Sequence, residues 1–345
     1  MEKGRKIDMI EIDGSLGEGG GQVLRTSLSL SVITGKPFRI KGIRANRRKS
    51  GLMRQHLTCV RAAAEISGAK MSGAELESTE LTFEPGPVKG GDYTFSVGSA
   101  GSVTLVFQTV LPALLMADEP SSLVLEGGTH NPMAPSFDFL DRCFRPVLAG
   151  MGGEVSMRLI SHGFFPAGGG RMEAEIEPIK EWKRLDLTEV GEVTNRQGQV
   201  LLSHLPDDIG QRQIRMLKNK LNWPVDCFEF KQVKPAHGPG NAVVVDLQRG
   251  DHVEVFTGFG QRNVSSGKVI QQLIYEIREY IACDAAVGEY LSDQLMLLLA
   301  LSRRGQYRMA KASSHARTNL SVIDTFLPYH ITMLELEDGT MLVEA

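Results

Sequence analysis

Cysteine is scarce and scattered in this 345-residue chain: Cys59, Cys143, Cys227 and Cys283 form no C-x-x-C pair. That spacing argues against a zinc site and a disulfide framework, and it suits a reducing cytoplasm. Net charge is nearly absent as well. The 38 Lys and Arg against 41 Asp and Glu leave −3, so nucleic-acid binding, if present, needs a local basic patch. The opening MEKGRKIDMIEIDG carries acids where a secretory leader needs an apolar core. The longest uncharged stretch, Tyr93 to Ala117, has bilayer length. Gly98, Ser99, Gly101, Ser102, Thr104, Gln108 and Pro112 interrupt it, so it reads as a Gly/Ser loop leading into a buried helix. The expectation is a cytoplasmic protein that does not span a membrane.

Two familiar nucleotide signatures are also missing. After the strand-like MIEID (9–13) comes GSLGEGGGQVLR (14–25), a strand, glycine-rich loop and helix in sequence. No Gly-Lys-Ser/Thr follows, which excludes a P-loop. Gln22 stands where the dinucleotide fingerprint needs its third glycine.

What the chain does hold is glycine, 37 residues of it, in clusters that permit close backbone approach to a ligand. Three consecutive glycines beside Glu18 and Arg25 point to a phosphate or metal site. From Arg39 to Arg54 there are seven basic residues (Arg39, Lys41, Arg44, Arg47, Arg48, Lys49, Arg54) and no acid. Guanidinium forks pair bidentately with phosphate oxygens, so this run is a candidate polyanion site, against the alternative of a solvated charged face. Gln108 is a polar residue on an otherwise apolar helix, and a buried amide there either ties down a loop or reads a base. Tyr290, Asp293 and Gln294 recur at i, i+3 and i+4 beside the apolar run Leu295 to Leu301, which suggests one polar face on a ligand pocket.

Near the C-terminus, SSHARTNLSVIDTFLP (313–328) reads as a short helix with Thr318 or Asn319 as its cap and Pro328 as its end. His315 then precedes a helix N-terminus, whose partial positive charge suits an anionic phosphate. A neutral imidazole there can attack phosphorus, bind metal or move protons.

The chain is long enough for two or more domains. Strands, helices and strand pairs recur at spacings near 80–90 residues, and FPAGGGRM echoes LGEGGGQV, which suggests an internal repeat. From 185 to 278 the texture changes to a small α+β unit, with a helix near 207–221, strands near 225–232, 242–247 and 253–257, and a helix at 264–280. The loop FTGFGQR (256–262) could stack a base or ribose.

Taken together, IDGSLGEGGGQVLRTSL, FRIKGIRANR, GLMRQHLT, SAGSVTLVFQTVLP, GGTHNPMAP, HGFFPAGGGRM, EVFTGFG, VGEYLSDQL and SHARTN resemble the RNA 3'-terminal phosphate cyclase family, in order along essentially the whole chain. The resemblance implies an α/β fold of three repeated units, each a four-stranded sheet with two helices, occupying 1–184 and 279–345. A smaller inserted α+β domain takes 185–278. It implies ATP as co-substrate, Mg²⁺ or Mn²⁺, and an RNA bearing a 3'-phosphate end as partner, which becomes a 2',3'-cyclic phosphodiester. His315 matches the family's nucleophile, and Gln108, Pro135, Tyr290, Asp293 and Gln294 match its adenylate contacts. Glu18 matches the acid associated with the ion, and Arg25, Arg44, Arg47 and Gln55 match the phosphate-binding positions. Phe256 matches a position near the nucleotide. Ser50, Gln261, Asn263 and the pair Arg171-Met172 depart from the family pattern, away from the histidine and the adenosine positions. A non-catalytic RNA-binding relative of the ribosome-assembly kind would lack the histidine, which this chain retains. A different repeat-built transferase acting on a phosphorylated metabolite is the other alternative.

Overall fold

The computed structural model describes residues 8–17 and 20–345. The first unit runs β1 (Ile10–Asp13), α1 (Gly21–Thr34), β2 (Phe38–Lys41), α2 (Arg54–Ser67), β3 (Lys70–Ser72) and β4 (Glu80–Glu84). Its sheet has the order β1-β2-β4-β3, with β1 and β2 parallel and the other neighbours antiparallel. Parallel neighbours need a crossover, and α1 provides it. On β2, Phe38 and Ile40 point into the core while Lys41 faces solvent. Gly35 and Gly68 end the two helices in the left-handed conformation, at φ 68° and 60°.

The second unit repeats the plan. It comprises β5 (Gly91–Ser96), α3 (Val103–Leu114), β6 (Ser121–Gly127), a broken helix, β7 (Val155–Ser161) and β8 (Gly170–Ile176), in the order β5-β6-β8-β7. The broken helix is α4 (Phe137–Phe139), a π-helical turn at Leu140–Phe144, and α5 (Arg145–Gly150). The uncharged run Tyr93 to Ala117 resolves into β5, a loop and the buried α3. Among the described residues no helix is long and apolar enough to cross a membrane.

A third unit opens with β9 (Leu185–Leu187) but is interrupted. The chain first builds β10 (Val193–Ser203), α6 (Asp207–Leu221), β11 (Phe228–Gln232), β12 (Gly240–Arg249), β13 (His252–Phe259) and α7 (Ser266–Ala282). It then resumes with α8 (Glu289–Ser302), β14 (Gly305–Met309), α9 (Ser314–Phe326), β15 (Thr332–Glu335) and β16 (Met341–Glu344). The sheet β15-β16-β14-β9 has the same order and the same parallel first pair as the other two. Thus the repeated four-stranded units read from the sequence are present, and the third is split.

The smaller sheet, β11-β10-β12-β13, has a hydrophobic cluster of its own, built with α6 and α7 from residues such as Val200, Val243, Val245, Phe256, Ile270 and Leu273. Its other face gives Leu201, Ala242, Val244 and Val255 to the main core. A strand covered on both faces reads as a continuous apolar run, which explains the consecutive Val243, Val244 and Val245. Arg249 pins the crossing points of this unit, donating to the carbonyls of Gly191 (3.1 Å), Tyr280 (2.8 Å) and Cys283 (3.2 Å). β9 pairs with β14, so 185–187 lie in the third sheet, and α7 runs to Ala282 with Tyr280 buried against the smaller cluster.

At the centre lies α1, which packs against α2, α3 and α9. It is buried on several sides, so its serines and threonines must find partners within the protein. Ser29 Oγ donates to Thr109 O at 2.7 Å, and Thr26 Oγ1 donates to Asn319 Oδ1 at 2.8 Å. These bonds fix the helices whose N-terminal ends and faces build the site.

Candidate active site

His315 lies inside the first turn of α9, not before the helix. Ser313 is the cap, its Oγ accepting from Ala316 N at 2.9 Å. Thr318 and Asn319, expected as caps, are buried in the helix: Thr318 Oγ1 donates to Ser314 O at 2.7 Å, and Asn319 Nδ2 donates to Asp293 O at 3.3 Å. With its bond from Thr26, Asn319 joins α1, α8 and α9 at one point.

The His315 ring is held by Gln22, with Nδ1 2.9 Å from Oε1. An amide oxygen can only accept, so Nδ1 carries the proton and the lone pair lies on Nε2. Gln22 is the residue that breaks the dinucleotide fingerprint, and nothing in its local sequence marks it as a partner of a residue so distant in the chain.

Next to this pair is a polar cavity of 70 Å³, bounded by Gln22, Arg25, Gln108, Asp293, Gln294 and Asn319 together with apolar side chains of α3 and α8. Gln108 donates to Gln294 across it, so the two amides read from sequence are each other's partners. Ser313 Oγ donates to Asp293 Oδ1 at 3.5 Å. Tyr290, one turn earlier on α8, is 55% exposed. Its phenol is pushed up to about 12, by partial burial first and then by Glu276, Glu289 and Asp293, and stays neutral.

Arg25 has no hydrogen-bond or ion-pair partner for its guanidinium among the described residues, and burial lowers its pKa. A half-buried cation without such a partner is stabilised when an anion joins it. The glycines explain how it comes so close. A Cβ on Gly21 would lie 2.3 Å from His56 Nε2 and 3.0 Å from Arg25 Nη1; on Gly20 it would meet Arg47 Nη2 at 3.1 Å. Gly17, at φ 60°, leaves no room for a Cβ, which would fall 2.0 Å from Thr318 Oγ1. Gly17 thus abuts α9, and Gly20 and Gly21 abut the basic groups and His56.

His56 was not among the residues singled out from the sequence, although it sits in GLMRQHLT beside Gln55. Its Nδ1 accepts from Met53 N at 3.3 Å. Burial, then the charges of Arg25 and Arg44, push its pKa down to about 3, so it stays neutral. Arg44, expected at the phosphate, also serves its own loop. Its Nη1 donates to Lys49 O (2.6 Å) and Gly51 O (3.2 Å), so it shapes the loop that carries Arg47. Gln55 likewise ties two segments, its Oε1 accepting from Ser102 N at 2.9 Å, where Ser102 caps α3.

Pro135 lies beside the N-terminal turn of α3, its carbonyl accepting from Thr104 Oγ1 at 2.8 Å, four residues before Gln108. The loop bearing it is anchored by a buried chain of groups. His130 links Thr129 (2.8 Å) to Asp138 (2.7 Å), and Arg142 bonds Asp138 and also Asp246 on β12 (2.6 Å). Burial would raise the Asp138 carboxyl, but His130 and Arg142 hold it well below the usual range. The ring of Phe256, expected near the nucleotide, is buried in the smaller cluster, 5.5 Å from Tyr280, and is not among the residues that bound this cavity. Inward alternation along β13 decides this. Glu18 lies outside the described residues, and among those described no three His, Cys, Asp or Glu side chains gather to hold a metal ion.

Comparison with known proteins bears on this arrangement. A family model described as RNA 3'-terminal phosphate cyclase matches residues 16–333. A protein of Koribacter versatilis named RNA 3'-terminal phosphate cyclase is 48% identical over 332 residues, 96% of this chain and 94% of that one. One of the same name from Ralstonia nicotianae is 48% identical over 333 residues, 96% of this chain and 95% of the other. An EPSP synthase structure from Acinetobacter baumannii aligns with 58% of this chain and 53% of its own at 12% identity and a TM-score of 0.24, too slight a likeness to inform the fold.

Proposed function

The chain belongs to the RNA 3'-terminal phosphate cyclase family, and on that premise we propose that it uses ATP to close an RNA 3'-phosphate onto the adjacent 2'-oxygen, with His315 carrying the adenylate. The observation that carries this reading is the Gln22–His315 bond beside a cavity bounded by Arg25, Gln108, Asp293 and Gln294.

Nε2 of His315 attacks the α-phosphorus of ATP. The P–N bond forms, the bond to the bridging oxygen breaks, and pyrophosphate leaves. Gln22 accepts from Nδ1–H and stabilises the positive charge that the imidazole gains. In-line transfer at phosphorus needs positioning and charge neutralisation more than a strong base. Arg25, Arg47 and the N-terminal end of α9 supply those. An oxygen of the RNA 3'-phosphate then attacks the same phosphorus, the P–N bond breaks, and AMP passes to the RNA end. Finally the 2'-oxygen attacks the RNA phosphorus, losing its proton to solvent, and AMP departs. The amides of Gln108 and Gln294 exchange their mutual bond for the edge of the adenine, and Tyr290 covers the entrance. The 2'-hydroxyl requirement selects RNA over DNA. Mg²⁺ or Mn²⁺ is the expected ion, with Glu18 its expected contact, and when bound it would neutralise phosphate charge.

The test is end-group analysis of an RNA oligomer with a 3'-phosphate after incubation with ATP and a divalent ion. The reading expects a 2',3'-cyclic end and one AMP per end closed, with no reaction of a 3'-hydroxyl or of a DNA 3'-phosphate. RNA bound but left unchanged, with no AMP released, favours the non-catalytic relative instead.

A further inference from the structure

With Phe256 in the core of the smaller unit, the EVFTGFG string needs another explanation, and Glu254 supplies one. Its side chain is 3% exposed. Oε1 accepts from Gly288 N at 2.6 Å and lies 3.5 Å from His252 Nε2, while Oε2 faces the Cys143 thiol at 3.8 Å. Gly288 is the residue that caps α8, and it has no side chain with which to do so. A helix start leaves N–H groups unpaired and carries partial positive charge. Here a carboxylate from a different sheet takes that place. The fit is close, since a Cβ on Gly288 would lie 2.9 Å from Oε2.

The helix held in this way presents Tyr290, Asp293 and Gln294 within its first two turns. Farther along β13, Thr257 Oγ1 is 3.1 Å from Ser136 Oγ, next to Pro135. One strand of the smaller sheet therefore contacts both the start of α8, the helix that carries Asp293 and Gln294, and the loop that carries Pro135. We infer that Glu254 is a positioning residue for the nucleotide: it fixes the start of α8, and through it the placement of Asp293 and Gln294. This gives the smaller unit a part in ATP binding without any side chain of its own in the cavity, and it rests on the ATP reading above.

The test compares wild type, Glu254→Gln and Glu254→Ala in formation of the covalent protein–AMP adduct, scored as KM for ATP, maximal rate and the fraction of chains labelled at saturation. Loss of one charge-assisted bond that only orients the helix raises KM by about tenfold in Glu254→Ala. The maximal rate per labelled chain stays within about threefold, because His315 and Gln22 are untouched. Glu254→Gln keeps an acceptor oxygen and stays near wild type. A role confined to fold stability lowers the labelled fraction and leaves KM alone, and that result overturns the inference. Should Glu254→Ala fail to fold, Gly288→Ala pushes the same helix start off the carboxylate, and it must raise KM in the same way; an unchanged KM overturns the inference equally. If wild type itself takes no label, the ATP reading fails. Hydrogen exchange of amides 288–292 without nucleotide then decides the structural half: faster exchange in Glu254→Ala supports the positioning role, and unchanged exchange ends it.

Discussion

Gln22 and His315 stand 293 residues apart in the chain, yet the amide oxygen of one lies 2.9 Å from Nδ1 of the other. The bond spans the first unit and the third, and it fixes both the tautomer and the orientation of the ring. Gln22→Ala should slow formation of the covalent adduct by about tenfold to a hundredfold, as removal of a group that orients a reactive histidine does. KM for ATP should change little, and single-turnover labelling separates the two.

Arg25 offers a test of opposite sign for activity and stability. Its guanidinium has no partner among the described residues, and burial lowers its pKa. Replacing it with Met should cut cyclisation by about a hundredfold or more if phosphate is its partner, since charge-assisted contacts are the strong ones. The melting temperature should hold or rise, because a cation with no partner among the described residues has been removed. Calorimetry without ligand checks this, and a clear drop in melting temperature contradicts the assignment.

His56 sets a pH dependence of stability. Its folded pKa, about 3, lies below the ordinary 6.5. Below pH 6.5 the unfolded chain takes up a proton that the folded chain refuses. The stabilisation is therefore complete above that pH and is lost as pH falls toward 3, at up to about 1.4 kcal/mol per pH unit. His162, pushed down to about 4 by burial and by His130, adds in the same direction. Thermal melts from pH 7 to pH 4 should fall steeply, and His56→Gln should flatten part of that slope.

The glycine loop can be probed where it touches α9. Gly17→Ala puts a Cβ 2.0 Å from Thr318 Oγ1 at a backbone φ of 60°. The strain should cost about 1 kcal/mol or more in stability and push Gly17 away from α9, the helix that carries His315. Adduct formation should fall at least as far as in Gln22→Ala, whereas Gly35→Ala, with open space around it, should leave labelling unchanged.

Local pattern made several of these features legible in the sequence. The glycine loop between a strand and a helix, the polar face Tyr290–Asp293–Gln294 and the lone Gln108 all lie where short-range periodicity put them, and Gln108 meets Gln294. Contacts between distant segments were not legible. Gln22 looked like a failed fingerprint, and Asn319 serves Thr26 and Asp293 instead of a helix start. Strand β9 was hidden because its partner, β14, comes only after the whole smaller unit. Phe256 shows the limit most plainly: its aromatic-glycine surroundings suggested a ligand, but strand alternation turns the ring inward.

The central claim is that His315 carries adenylate through a bond to Nε2. Incubation with α-labelled ATP and a divalent ion, followed by denaturation, should leave label on the wild-type chain that is released by acid and is chased off by RNA with a 3'-phosphate. His315→Ala should take none. Label retained in His315→Ala, or an unlabelled wild type that still makes cyclic ends, would contradict the account.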